Sequence, residues 1–223
     1  MAGQREPVIW LRPAHAAVGR PAERSREQIT AAAMDLGDRE GLQAVSMRRV
    51  AAALGTGAAS LYRYVSTRDD LLDLMTDATA AEYDLSAPTG DWQADLLAVA
   101  RQARQIMRRH PWLPPLVITR PVLGPRGVEL LEYVLGVLAD HRAEPTRKIE
   151  AFSFLNALTA LQVQNEQAAT DPVAHRNAAY LHHVVTAGDH PRISALFTAV
   201  PAGDDSGDRF DALVTRTLTG ILG

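Results

Sequence analysis

Between Ser46 and Val65 two short apolar stripes flank a glycine. Val50, Ala51 and Leu54 recur at helical spacing, so they define one buried face of a first helix. Gly55 stands where such a helix ends in a left-handed residue, a conformation that glycine adopts without a Cβ clash. Thr56 is then placed to cap a second helix, on which Leu61 and Val65 point back to a core. Ser60, Tyr62, Arg63 and Tyr64 are left to face outward or sideways. Two short helices around one tight turn form a helix-turn-helix, whose second helix enters the DNA major groove.

The run Leu54-Gly55-Thr56-Gly57-Ala58-Ala59-Ser60-Leu61-Tyr62-Arg63-Tyr64-Val65, followed by Arg68 and Leu71-Leu72, resembles the DNA-binding domain of the TetR family of repressors. That family shows Leu-Gly, a short polar segment, Leu-Tyr, then an apolar residue and a basic one. The likeness extends over about Ser25 to Ala78. It implies an all-α fold, with a three-helix DNA-binding domain joined by a linking helix to a helical ligand-binding and dimerisation domain.

Charge is distributed in keeping with such a division. Residues 1–68 carry 10 Arg and no Lys against 6 Asp and Glu, a balance of +4, and the remaining 13 Lys and Arg face 20 acids, a balance of −7. A basic first third on an acidic remainder suggests that the N-terminal part meets the polyanion. The 223 residues are 47% hydrophobic, enough for a substantial core. With no cysteine, disulfides and thiolate-bound metals are excluded. No run of 18 apolar residues suggests a membrane span, and the N-terminus lacks a signal-peptide core, so a cytoplasmic protein is expected.

Three segments are expected: an arm over 1–23, a DNA-binding domain over 24–84, and a C-terminal domain over 85–223. In the arm, Pro7, Pro13 and Pro21 alternate with arginines around the apolar knot Val8 to Leu11. Either the arm lays Arg12 or Arg20 along the minor groove, or Trp10 packs on its own domain. Ser25 to Gln28 is a capping box that opens a helix ending near Gly41. Thr67 to Asp70 repeats the start signal for a helix running towards Tyr83. Asp91 caps a long helix to Met107; five prolines between 111 and 127 predict turns and at most a short helix. Helical spacing then covers Val128 to His141, Pro145 to Gln167, Pro172 to Val185, a short piece at Ile193 to Phe197, and Asp208 to Leu222.

Phosphate contacts supply most DNA affinity, and base edges supply specificity. Ser46, Ser60, Tyr62, Tyr64 and Arg68 form the expected phosphate set. The family motif places Arg48, with its neighbour Met47, and Gly57, Ala58 and Ala59 where bases are read; Arg63 falls on the outer face of the recognition helix. The small residues at 57–59 shift readout onto the arginines, since Arg is the usual reader of guanine.

His110-Pro111-Trp112, Thr119-Arg120-Pro121 and the long helix that follows resemble the subgroup nearest the tetracycline repressors. Metal-dependent tetracycline binding in that subgroup uses a His and a Glu where this chain has Leu116 and Asn165, so no metal or cofactor is expected. Trp112, Arg120, Asn156, Gln162 and Asn165 remain as candidates for a small-molecule site. His175 and His182 are seven apart, too far along a helix to share one ion. By the resemblance, the last helix and the one over 145–167 form a four-helix interface between two copies. The resulting regulator is a homodimeric repressor on a palindromic operator, released by a small molecule. The alternative is a helical binding protein or enzyme with a non-functional DNA-binding bundle. No nucleophile–base pair or phosphate loop supports catalysis.

Overall fold

The structure is a computed structural model. It describes residues 8–12, 24–169, 172–199 and 206–223. Every regular element among them is helical. Besides two 3-10 turns (Ile9–Leu11 and Leu42–Ala44), these are in order α1 (Arg26–Glu40), α2 (Met47–Ala53), α3 (Ala58–Leu61), α4 (Arg68–Ala80), α5 (Trp92–Arg109), α6 (Leu113–Thr119), α7 (Pro125–Val137), α8 (Pro145–Ala168), α9 (Pro172–Ala187), α10 (Pro191–Ala199) and α11 (Ser206–Leu222). No helix among the described residues is long and apolar enough to cross a membrane.

Both capping boxes form. The Ser25 hydroxyl accepts from the Gln28 amide while the Gln28 side chain accepts from the Ser25 amide; Thr67 and Asp70 repeat the exchange at α4. The turn after α2 also follows the sequence, with Gly55 at φ 66°. The start of α3 does not. Its N-cap is Gly57, without any side-chain cap, so Thr56 does not hold it. α3 is therefore short, and its register depends on Leu61 and Val65, both wholly buried. Among the prolines, α7 begins at Pro125 rather than Val128, because proline suits the first helical turn, where an amide hydrogen has no partner anyway. α10 likewise starts at Pro191 and is longer than the spacing predicts.

The DNA-binding bundle has no core of its own. Ile29, Ala33, Leu36, Val50, Leu61, Val65, Leu71 and Met75 belong to one buried cluster with Ile106 and Met107 of α5 and with Trp112, Leu113 and Leu116. A second cluster joins the first half of α5 to α7, α8 and α11 through Leu96, Val134, Leu155, Phe210 and Val214. The bundle and the body thus share apolar packing, and a shift in one strains the other.

Polar contacts lock the same junction. His110, at the end of α5 and buried, sets Nδ1 2.7 Å from Asp38 of α1 and Nε2 2.7 Å from Glu82 beyond α4. Trp112 Nε1 donates to the same Asp38 carboxylate at 2.6 Å. Val8 to Arg12 is strapped over the other side. Ile9 is fully buried, Arg26 donates to the Ile9 and Arg12 carbonyls, and Arg12 donates to Ser66 and pairs with Asp70. Trp10 packs beside Gly124, before α7. Arg12 is thereby occupied within the protein, while Arg20 and the rest of the expected arm lie outside the described residues.

Asp38→Ala is expected to lower unfolding stability by about 1–3 kcal/mol, since it strips buried donors of their acceptor. Asp35→Ala, which removes only an exposed pair with Arg39, should change it by less than about 1 kcal/mol. Urea denaturation of the two variants against the parent checks the contrast.

Candidate nucleic-acid interface and effector cavity

The recognition face is built from α2 and α3. Ser46 caps α2 through its hydroxyl, which accepts from the Arg49 amide at 3.3 Å. Arg48, Gly57, Ala59, Tyr62 and Arg63 are exposed, with Ala58 and Ser60 half-buried beside them. Two residues of the expected contact set are buried instead. Met47 is 5% exposed and Tyr64 8%, both in the shared core: Met47 falls on the inward face of α2, and Tyr64 lies in the turn past the end of α3.

The remaining arginines of this basic third divide into two groups. Arg24 donates to the Leu54 carbonyl at 2.8 Å and so caps the end of α2. Arg26 donates to the Tyr64 carbonyl at 3.0 Å, at the end of the recognition segment. Its charge is disfavoured by burial and by Arg12 nearby, which lower its pKa. Arg68 donates to the Val45 and Leu42 carbonyls at 2.8 and 2.9 Å. Arg39 pairs with Asp35 and Arg49 with Glu40. These five side chains, and Arg12 as a sixth, are fasteners. Arg48 and Arg63 carry no such partner among the described residues, and they flank the 57–59 segment. Sequence reasoning could not separate the two groups, since carbonyl acceptors leave no mark in composition.

Behind the linking helix lies a cavity of about 380 Å³. α4 supplies one wall with Thr76, Asp77, Thr79 and Ala80, followed by Tyr83. Met107, Leu113, Val117, Leu130, Leu131 and Phe152 make most of the rest, and Ser153 and Asn156 of α8 add polar points. Burial, with Glu82 adding to it, pushes the Tyr83 phenol far above its ordinary pKa. Arg120 reaches the cavity from the loop after α6, held by Asp73 at 2.8 Å and Asp69 at 3.0 Å.

Of the five expected effector residues, the cavity brings together Arg120 and Asn156 only. Trp112 is 2% exposed and belongs to the core under the DNA-binding bundle. Gln162 is half-buried and Asn165 exposed, two and three turns beyond the cavity wall on α8. Leu116 is buried in the shared core. Thr76, Asp77 and Tyr83 were missed, because a linking helix reads in sequence as a connector and not as a wall. Among the described residues no three His, Asp or Glu side chains converge as a metal set.

Glu166, near the end of α8, lies outside the cavity lining and is half-buried. It accepts from Arg104 at 2.6 Å and Arg108 at 2.8 Å, tying α8 to α5. Burial raises its pKa, but the hydrogen bonds and charges of the two arginines outweigh this and hold it below the ordinary glutamate range. A depressed folded-state value adds stability above the unfolded pKa and loses it as pH falls through the folded one. The stability gap between the parent and Glu166→Gln should therefore be full near neutrality and close in acid; a gap that widens on acidification in thermal melts would contradict the pairing.

Comparison with known proteins adds independent findings. The family described as "Bacterial regulatory proteins, tetR family" matches residues 29–75, and "Tetracyclin repressor-like, C-terminal domain" matches 86–222. The chain is 46% identical to the HTH-type transcriptional repressor DrrR1 of Streptomyces coeruleorubidus over 114 residues, half of this chain and 42% of that repressor. It is 33% identical to an HTH-type transcriptional regulator of Saccharopolyspora erythraea over 207 residues, 90% of this chain and 84% of the relative. Among solved structures, apo ActR from Streptomyces coelicolor superposes with a TM-score of 0.76 at 29% identity, covering 92% of this chain and 97% of ActR. ActR in complex with actinorhodin gives 0.75 at 30%, covering 89% and 97%.

Proposed function

The chain belongs to the TetR family of bacterial transcriptional regulators, and we propose that it is a cytoplasmic homodimeric repressor that leaves a palindromic operator when a small molecule fills the cavity behind α4. The observation that carries this reading is that one helix does two things. At its start, α4 is tied to the recognition segment through the Thr67 cap, the packing of Leu71 and Leu72, and Arg12, which bridges Asp70 and Ser66. Its last turns line the cavity. A molecule that prefers a cavity of different width therefore prefers a different position of the recognition helix. DNA affinity falls by as much as the molecule discriminates between the two states, and no more.

On DNA, Arg48 and Arg63 carry the base and phosphate contacts in this proposal, with Ser46, Ser60 and Tyr62 as hydroxyl donors to phosphate. Arg68 contributes its field rather than a direct contact, since its guanidinium holds the loop before α2. Two copies supply the second half-site. The outer face of α8 supports that arrangement: Phe154 and Leu161, seven apart, are 55% and 50% exposed on one stripe. Exposed large apolar residues so aligned mark a surface that another chain covers. Paired through α8 and α11, two recognition helices would stand about one DNA turn apart, roughly 34 Å, or a multiple of it. The structure of ActR in complex with actinorhodin supports a small-molecule role for the cavity here.

Gel shift of the protein on the DNA upstream of its own gene tests the reading, with steep salt dependence expected. Arg63→Ala should cost about 1–3 kcal/mol of operator binding and relax sequence preference, if the contact is bidentate to a base. Met47→Leu should leave preference unchanged. Leu161→Glu should yield monomers in sedimentation and lose operator binding with its helical content intact. A monomeric parent protein, or one indifferent to every duplex, would overturn the proposal.

A further inference from the structure

α4 presents Asp69, Asp73 and Asp77 at intervals of four, on the side facing the cavity and its rim. Their environments differ. Asp69 and Asp73 share the Arg120 guanidinium. Asp77 is 9% exposed, lines the cavity, and has no cation partner among the described residues. Its oxygens accept only backbone amides at the start of α7, from Gly127 at 2.9 Å and from Arg126 at 3.4 Å. The second contact is long. The helix end offers roughly +0.5 of a charge, which offsets a carboxylate only in part.

The cavity wall is otherwise strongly apolar. Arg120 and Asp77 are the two acidic or basic side chains among the residues lining it. Together with the two carboxylates already on Arg120, three negative groups stand against one positive. An acidic ligand would have to take Arg120 from Asp69 and Asp73 inside that field. A basic one meets a buried carboxylate whose charge is incompletely matched, and burying an ion is costly unless it is paired.

We infer that the effector is a cationic amphiphile: an aromatic or aliphatic body for the apolar wall, with an ammonium group that pairs with Asp77. This inference rests on the cavity being the effector site, as proposed above. It also gives the signal a route. Asp77 fastens α4 to the start of α7, and Gly124 lies so close that a Cβ there would overlap both the Asp77 carboxylate and the Trp10 ring. An ammonium drawing one Asp77 oxygen away loosens that fastening on the helix that continues from the recognition segment.

The test is isothermal titration of the full chain with three probes that share one ring system and differ in head group: naphthylmethylammonium, naphthalenemethanol and naphthoate. The expected order is ammonium, then alcohol, then acid, with about ten-fold or more between first and last. Asp77→Asn, which keeps the shape and an acceptor for the Gly127 amide, should bring the ammonium down to the affinity of the alcohol and leave the alcohol unchanged. Tighter binding of naphthoate, or an ammonium affinity indifferent to Asp77→Asn in a variant with the parent's melting temperature, would overturn the inference. The head-group order in the unmutated protein stands whether or not that variant folds. Ser153→Trp, which fills the cavity, separates the two levels. If the alcohol still binds that variant as it binds the parent, the cavity is not the effector site and the underlying reading falls. If all three probes are lost but the parent shows no head-group order, the charge inference alone falls.

Discussion

The structure hangs on the carboxylates of one helix. α4 carries four aspartates in its first three turns, and between them they hold three different neighbours. Asp70 pairs with Arg12 of the N-terminal strap and closes its own helix cap. Asp69 and Asp73 hold Arg120, which fixes the loop between α6 and α7. Asp77 accepts the first amides of α7. Each contact is modest alone, since partly exposed ion pairs contribute little. Distributed along one rigid rod, they fix the rod's direction relative to three elements at once. The apolar face of the same helix, through Leu71, Leu72 and Met75, sets its distance from the core. Direction and distance together place the recognition helix.

Arginine plays the complementary part in the DNA-binding bundle. Backbone carbonyls at the ends of α2 and α3 point outward and need donors, and helices this short cannot satisfy them internally. Arg24 and Arg26 supply those donors from neighbouring segments, and Arg68 does the same for the loop before α2. A basic stretch therefore overstates the charge offered to DNA as direct contacts: much of it is spent on holding the reading frame of a four-residue helix. The arginines not so used stand on either side of three small residues, where close approach of the backbone to a groove is possible.

Local signals were legible in the sequence, and distant ones were not. Ser25 with Gln28 and Thr67 with Asp70 specify their helices within four residues, and Gly55 specifies its turn by itself. The apolar stripes of α1, α4 and α5 follow from spacing alone. Thr56 misled because a hydroxyl one position too early cannot reach the α3 amides, leaving Gly57 as an uncapped start. Tyr64 misled because it follows α3, where the chain no longer keeps the period that would turn it outward. Trp112 shows the wider limit. A tryptophan beside a Thr-Arg-Pro turn reads as a pocket residue, yet its indole is fixed by Asp38, seventy-four positions earlier. Only packing of the two domains into one core brings that acceptor within reach.

That shared core bears on how a signal could travel. Two separately packed domains on a flexible joint would let the cavity change without moving the recognition helix. Here Ile106, Met107 and Trp112 lie in the same buried cluster as Leu61 and Val65, and His110 of the body is gripped by two carboxylates of the DNA-binding segment, Asp38 and Glu82. Interiors packed to this density do not deform gradually; they exchange one arrangement for another. A change at the cavity must then either be absorbed by the polar fastenings of α4 or be passed to α2 and α3. In the proposed mechanism those fastenings, ion pairs and helix caps that re-form at shifted positions more readily than an apolar core repacks, let the rod move as a unit and carry the DNA-binding bundle with it.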